Sequence, residues 1–447
     1  MLARYGNKML DEDINRERYR KEDFQEPKEF NYDLEDVYGE DLDPKRSSRI
    51  IRSKAMERKH IVADPTQTSI KPGGTLRFTI PKLGKSEMIV PKSFFISGKL
   101  NISSTKDVKR SIVPNIGRKL IKKFHVKFGT KDLFTVDYYD EIMTYFDLWL
   151  SKKEKARRVS QGIQSEAGLK LRVKSDGAAT TDAEEVAISK TLGNRFVIPV
   201  DFELLHGIAP LLSSHLDALK FELTFNDPQS VMLGSTDVLA SATNHDYDYE
   251  VNDIHLEYDV ITDTSLSQTV TNMYREMIVP ITDIQHCEMI TIPKNQTNVE
   301  VKINKTCNRL SHVLIIAKDP DDRKDFARKE IFKNLDVKSV QIKTYGSSNI
   351  LYPGSLRPEN TYDEALKLFD SNGVTMGEFL TTKYALVLNF RPSTDAKTHG
   401  NGLSLTNELQ ITIERAKSGS GNLDLHVFLF RDGHLNIENG TLASFEV

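Results

Sequence analysis

The sequence predicts an all-β protein made of two consecutive strand-rich units. Three observations lead there. Short runs of β-branched, aromatic and aliphatic residues recur at 75–80, 94–102, 124–128, 195–200, 218–225 and 254–260, and again at 299–303, 313–317, 339–344, 384–390, 409–413 and 423–430. Gly, Pro, Asn and Asp separate them, the punctuation of sandwiches and barrels. Several runs alternate: Leu409, Ile411 and Ile413 lie opposite Gln410, Thr412 and Glu414. Period two with one apolar face marks strands that cover a core on one side.

Taken in order, residues 1–60 form a charged N-terminal arm. Asp11, Asp13, Glu35, Asp36, Glu40 and Asp43 make its first part acidic. Lys45, Arg46, Arg49, Arg52, Lys54, Arg58 and Lys59 make the second basic. Its apolar residues are too sparse to offset ordering entropy, so by itself it is expected to be flexible. Two readings stand: a solvated tail, or an arm that orders against neighbouring subunits. Residues 61–262 form the first unit, 263–275 a connector and 276–447 the second unit. Within 119–128, Leu120, Lys122, Phe124, Val126 and Phe128 share one face, and Lys123, His125 and Lys127 the other.

Helical patterns are few. Ile142, Met143, Phe146 and Leu150 give 138–150 an amphipathic spacing. Residues 321–334 and 361–369 read as two further short helices. Residues 174–185 and 227–248 read as exposed loops.

Composition narrows the function. The 447 residues carry a net charge of −3, so no global field collects nucleic acid or an anionic membrane, and no specific nucleic-acid site is assigned. Two cysteines, Cys287 and Cys307, are too few for a disulfide framework and fit assembly in the reducing cytoplasm or nucleus. Asn-x-Ser/Thr triplets at Asn101, Asn295, Asn304 and Asn439 mean little without a secretory route. The first 20 residues lack an apolar signal core, so the mature chain is expected to start near residue 1.

The tempting chemical motifs fail on spacing or context. Gly84-Lys85-Ser86 ends like a phosphate loop, but Thr79 stands where that loop needs glycine and a strand follows. Gly400 and Gly402 are followed by Leu405 where a dinucleotide loop needs glycine, and 418–421 reads as a flexible turn. Asp319, Asp321 and Asp322 lack calcium-loop spacing and suit a helix start. His286, Cys287 and Cys307 offer three donors and no fourth, so core cysteines are expected. Arg110, Arg118, Lys119, Lys122, Lys123 and Lys127 form a basic cluster with two readings, contact with packaged DNA or a solvated sheet face. Trp149 reads as a packing anchor. No catalytic residue, cofactor or metal ligand is assigned.

A resemblance covers roughly residues 66–447. The segment from Arg195 (RFVIPVDFELL), then Ala209-Pro210-Leu211-Leu212, then Leu219 to Phe225 (LKFELTF), is similar to the late part of the first jelly roll of double jelly-roll major capsid proteins. Ile254 to Val260 (IHLEYDV) resembles that roll's last strand. Arg309 to Lys318 and Arg431 to Gly440 resemble a strand and the closing turn of the second roll. Residues 113–118 through 145–150 look most like the hexon proteins of Polinton- and adintovirus-like elements. The resemblance implies two side-by-side eight-stranded jelly rolls, with a few short helices, in a structural protein without enzymatic activity. It further implies a homotrimer with a pseudo-hexagonal outline that tiles an icosahedral shell around a DNA genome, beside penton and minor capsid proteins, in a virion assembled inside the host cell. The arm of residues 1–60 has no counterpart in the resemblance; it would tie neighbouring capsomers together or face the shell interior. A vertex, minor capsid or spike protein is the alternative, and a carbohydrate-binding or hydrolytic β-sandwich a third reading.

Overall fold

The computed structural model describes residues 57–80, 83–84, 86–90, 93–104, 110–112, 116–129, 131–157, 195–200, 218–234, 247–264, 268, 276–320, 331–344, 347–348, 358–369, 373–391, 402–405, 408–417, 421–438 and 441–446. The arm through residue 56, the loop at 174–185, the turn at 209–212, most of the connector and the glycine loop at 400 lie outside them.

In chain order the first half holds β1 (Glu57–Ala63), β2 (Ser69–Ile70), β3 (Thr75–Ile80), β4 (Glu87–Ile89), β5 (Phe95–Ser104), β6 (Arg110–Ile112), α1 (Ile116–Lys119), β7 (Ile121–Phe128), β8 (Lys131–Asp137), α2 (Tyr139–Trp149), α3 (Lys152–Arg157), β9 (Arg195–Pro199), β10 (Leu219–Phe225), α4 (Pro228–Val231), β11 (Met232–Gly234) and β12 (Tyr247–Thr262). The second holds β13 (Glu276–Ile292), β14 (Asn298–Ile303), β15 (Cys307–Lys318), β16 (Val337–Thr344), β17 (Ser347–Ser348), α5 (Pro358–Phe369), α6 (Met376–Thr381), β18 (Leu386–Asn389), β19 (Leu403–Leu405), β20 (Leu409–Arg415), β21 (Leu423–Glu438) and β22 (Thr441–Glu446).

Each half is a sandwich. The first stacks β1-β12-β5-β9 on β3-β10-β7-β8, and the second β13-β21-β15-β18 on β14-β20-β16-β17. Setting aside β2, β4, β6, β11, β19 and β22, which lie off these paths, both halves run first-eighth-third-sixth in one sheet and second-seventh-fourth-fifth in the other, with every pair antiparallel. That order is the eight-stranded jelly roll. Among the described residues no strand of one half pairs with a strand of the other.

Alternation builds the two cores. Leu76, Phe78 and Ile80 of β3 meet Leu219, Phe221, Leu223 and Phe225 of β10 in the first; Val299, Val301 and Ile303 of β14 meet Leu409, Ile411 and Ile413 of β20 in the second. The intervening polar residues face outward, as period two requires.

The sequence and the structure differ in places. β1 begins at Glu57, inside the stretch read as arm, because pairing with β12 satisfies its backbone groups. In 119–128 the alternation breaks: a bulge at Thr224/Phe225 leaves both Leu120 and Ile121 buried and turns Lys122 outward, away from the apolar face. The proposed helix at 321–334 lies outside the described residues through 330, and Phe332 instead bridges Lys383. Helix α6 was not predicted, although Thr375 and Glu378 form its capping box. In the segment read as a loop at 227–248, residues 228–234 form α4 and β11, β12 begins at Tyr247, and 235–246 lie outside the described residues.

Candidate functional site at the seam of the two halves

Helix α2 is the element that joins the halves. It follows β8 through Tyr138, whose φ of 53° lies in the left-handed region and breaks the strand. Asp140 and Glu141 in its first turn complement the helix dipole. Spacing alone marks a single apolar face on Ile142, Met143 and Phe146. The structure buries nearly the whole circumference, including Asp140, Glu141, Thr144 and Asp147. A helix enclosed all round belongs to an interior, here the one between two sandwiches.

One side of α2 serves the first half. Tyr139 stacks on Phe124 with centroids 5.3 Å apart, and Arg118 donates to the Tyr139 hydroxyl at 2.9 Å and to Asp147 at 3.1 Å. The other side serves the second half. Tyr145 meets Phe332 edge-on at 4.9 Å and its hydroxyl donates to the Lys383 carbonyl at 3.1 Å. Phe146 reaches Phe369 at 5.3 Å, and Trp149 lies parallel to Phe369 at 4.9 Å. The approach is close enough that a Cβ on Gly373 would stand 2.1 Å from the Trp149 carbonyl oxygen.

A buried charge cluster sits at the start of α2. Glu141 accepts from Lys119 at 3.3 Å, and from Lys318 of β15 in the other half. Asp140 accepts from the Asn226 amide at 2.9 Å through one oxygen, while its other oxygen is buried without a hydrogen-bond partner. Burial pushes Asp140 up to about 6, helped by the Glu141 charge and opposed by the two lysines. Burial also pushes Glu141 upward, but Lys119 and Lys318 outweigh it and hold the carboxyl well below its ordinary range. Burial brings the Lys318 ammonium down to about 8 against the pull of Glu141. One carboxylate between two lysines thus ties α1, α2 and β15 together. Removing it would take from two buried cations the carboxylate they share.

The second half meets α2 with a face that is itself aromatic. Tyr138 packs 4.5 Å from the His286 ring and 4.7 Å from the His426 ring, and His286 lies edge-on to Phe428 at 5.1 Å. Burial lowers His286 to about 4; it lowers His312 to about 4 as well, aided by the Arg391 charge.

The corresponding face of the first half is open and polar. His60 of β1 lies 2.8 Å from Asp259 and 3.0 Å from Glu257 of β12. His255 lies 3.0 Å from Asp64 and 3.0 Å from Asp253, and Lys99 reaches Asp253 at 2.7 Å.

The sequence-predicted basic cluster does not hold together. Arg118 and Lys119 are buried at the seam, which corrects the reading of them as a solvated or DNA-facing set. Lys122, Lys123 and Lys127 do lie on the polar side of β7, within 3.9, 3.0 and 3.9 Å of Asp227, Asp137 and Asp132. Arg110 is on the short strand β6. Cys287 sits at a bulge in β13 and Cys307 opens β15; both are free thiols, raised by burial. Among the described residues no group of three or more His, Cys, Asp or Glu is arranged to hold a metal. Gly84 accepts from the Glu87 amide at 2.9 Å in a turn before β4. Asp319 follows β15, and Asp321 and Asp322 lie outside the described residues. Trp149 is the packing anchor the sequence suggested. Lys318 and the carboxylates of α2 were missed, because no local period signals a charge whose partner is on another sandwich.

Comparison with solved structures covers almost the whole chain. A chain of the Sputnik virophage matches with a TM-score of 0.58 at 11% identity, over 88% of this chain and 89% of that one. The Faustovirus major capsid protein matches with a TM-score of 0.56 at 9% identity, over 97% and 98%. The mavirus major capsid protein matches with a TM-score of 0.51 at 14% identity, over 86% and 89%. No protein-family model and no curated sequence matches. The fold is a double jelly roll. In this double jelly roll the helix between the fifth and sixth strands of the first roll is the wedge that covers the outer face of the second.

Proposed function

We propose that this protein is a major capsid protein, the repeated structural subunit of an icosahedral shell around a DNA genome. The observation that carries the reading is the duplication of one jelly-roll topology within a single chain, with both rolls in one compact unit. Two similar sandwiches per chain let three copies close a ring of six near-equivalent edges, a shape that tiles. The fold-level likeness to the Faustovirus and mavirus major capsid proteins supports the same reading. On it, the subunit is a homotrimer without enzymatic activity and its place is the virion. Residues 61–262 and 276–447 are the two rolls, 263–275 their connector, and the charged arm of residues 1–60 joins neighbouring capsomers. Penton and minor capsid proteins complete the shell.

The test is the solution mass of the purified protein combined with negative-stain microscopy of the same fraction. A three-copy mass with a pseudo-hexagonal outline is expected. A clean monomer or pentamer would refute the capsomer and favour a vertex or spike role.

A further inference from the structure

Strand β1 is held to the first roll with little help from the core. It lies at the edge of its sheet and, among the described residues, pairs only with β12, from Glu57 opposite Thr262 to Ala63 opposite Leu256. From Lys59 to Ala63 no residue is buried, and Val62 is 52% exposed, whereas β3 and β10 bury every second residue. Apolar burial, the main force that fixes a strand in a sandwich, therefore contributes little here. Two histidines add a different attachment. His60 of β1 turns one ring nitrogen to Asp259 at 2.8 Å and the other to Glu257 at 3.0 Å, both on β12. His255 of β12 does the same with Asp64, just past the end of β1, and with Asp253, each at 3.0 Å. A carboxylate only accepts, so a ring between two carboxylates satisfies both only when both of its nitrogens carry a proton. That form is the charged imidazolium. Around the two rings, Lys99 of β5 reaches Asp253 at 2.7 Å, the Ser97 hydroxyl donates to Glu257, and the Phe95 ring stacks on His60 at 6.1 Å. Lys59 alternates to the other side of β1. On β2, Ser69 donates to Glu250 at 2.9 Å, and at β4 the Glu87 carboxylate accepts from the Gly84 amide at 2.9 Å. Loss of the two ring protons would leave Asp64, Asp253, Glu257 and Asp259 facing a nitrogen lone pair or a neutral N–H in place of a cation.

We propose that β1 is a proton-operated latch, shut on β12 while His60 and His255 are protonated and released when they lose their protons. The inference does not rest on the capsid reading. β1 joins the charged N-terminal stretch to the first roll, so the latch decides whether that stretch is tied to its own roll or free of it. The direction follows from the surroundings of the two rings. His60 is raised, chiefly by its hydrogen bond to Asp259, and His255 chiefly by its hydrogen bond to Asp253. Their hold on β1 is complete below the ordinary 6.5 and is lost as the pH rises through their folded values. Opening leaves the rest of the sheet paired, because β12 still bonds β5 from Tyr247 to Glu257 and β4 from Val260 to Thr262. It bares the β12 edge over 256–262, a row of backbone groups that another strand can fill.

The experiment is hydrogen exchange of the full chain, read by mass spectrometry from about pH 6 to about pH 9, with each rate normalised to the intrinsic exchange rate at that pH. Protection across 57–63 is expected to fall roughly tenfold or more over that range, while protection across 299–303 of β14 stays constant. The double variant His60→Arg/His255→Arg keeps a cation between each pair of carboxylates, and its β1 should stay protected at the alkaline end. The double variant His60→Gln/His255→Gln lacks the charge, and its β1 should be as weakly protected at the acid end as the wild type is at the alkaline end. A wild-type β1 whose protection does not change with pH overturns the latch. So does an arginine variant that opens as the wild type does, or a glutamine variant as well protected as the wild type at the acid end. Loss of protection in β14 together with β1 would mean that the whole chain opens, which also overturns it.

Discussion

Strands β12 and β21 occupy the same place in the two jelly rolls, last in the chain and inserted between the first and third strands. Their burial is opposite. Along β12, Val251, Ile254, Leu256, Tyr258 and Val260 are buried, while Asn252, His255, Glu257 and Asp259 face outward and remain partly exposed. Along β21, every residue from Leu423 to Phe430 is buried. β15 shows the same two-sided burial from Leu310 to Lys318. A strand with water on one side reads as alternation, and one enclosed on both sides reads as a run. The sequences LEYDV and HVFLF therefore record which face of which sheet the protein covers with its own helix. The charges divide accordingly: exposed pairs lie on the outer face of β1-β12-β5, and the enclosed cluster lies at the seam, where Lys318 of the second roll meets Lys119 and Glu141 of the first.

The comparison is broken most forcefully by Glu141→Ala. It leaves Lys119 and Lys318 buried without their shared carboxylate, and a loss of about 3–5 kcal/mol in urea unfolding is expected. Replacing the three together, Lys119→Met/Glu141→Leu/Lys318→Met, should recover most of that loss, because the desolvation penalty goes with the charges. If the single variant were as stable as the parent, the cluster would not be enclosed as described. A smaller effect is expected for Gly373→Ala, about 1–3 kcal/mol from forcing a methyl group against the Trp149 carbonyl, read as a lowered melting midpoint. On the open face, Glu257→Gln should cost about 1 kcal/mol or less, the range of partly solvated ion pairs, measured in the same unfolding assay.

Acidity separates the two faces by sign. His286 and His312 are held at about 4, below the ordinary 6.5, so the unfolded chain binds more protons between those values. Their contribution to stability is complete above pH 6.5 and is lost as the pH falls toward 4. His60 is raised, chiefly by its hydrogen bond to Asp259, and His255 by its hydrogen bond to Asp253. Their contribution is complete below 6.5 and is lost as the pH rises through their folded values. Asp140, raised to about 6, opposes the buried histidines: between about 4 and 6 its contribution falls as the pH rises. His312→Gln should therefore flatten the stability profile between pH 4 and 6.5, and His60→Gln should flatten it only above pH 6.5. The reverse assignment of slopes would show that the two faces had been exchanged.

Much of the fold was legible because each strand carries its own period. The runs at 75–80, 218–225, 299–303 and 409–413 could be placed from alternation, since which side faces a core is a local property of a pleated strand. The bulge opposite Phe225 was not legible, because a register shift belongs to two strands distant in sequence. Nor was β1, whose charged residues are ordered by pairing with β12 rather than by any preference of their own. The seam was half visible: the apolar spacing of Ile142, Met143, Phe146 and Leu150, with Trp149, marked a packing helix, but not what it packs against.

By itself the sequence determined an all-β chain in two parts, the cores of both sandwiches and the helix after β8, because hydrophobic period and turn residues act over a few positions. Only the tertiary structure decided that Arg118, Lys119, Glu141 and Lys318 are enclosed while His60 and His255 remain partly exposed. The physical reason is that the cost of a charge depends on what lies on every side of it, and those neighbours come from strands and helices that the chain brings together only once both rolls have formed.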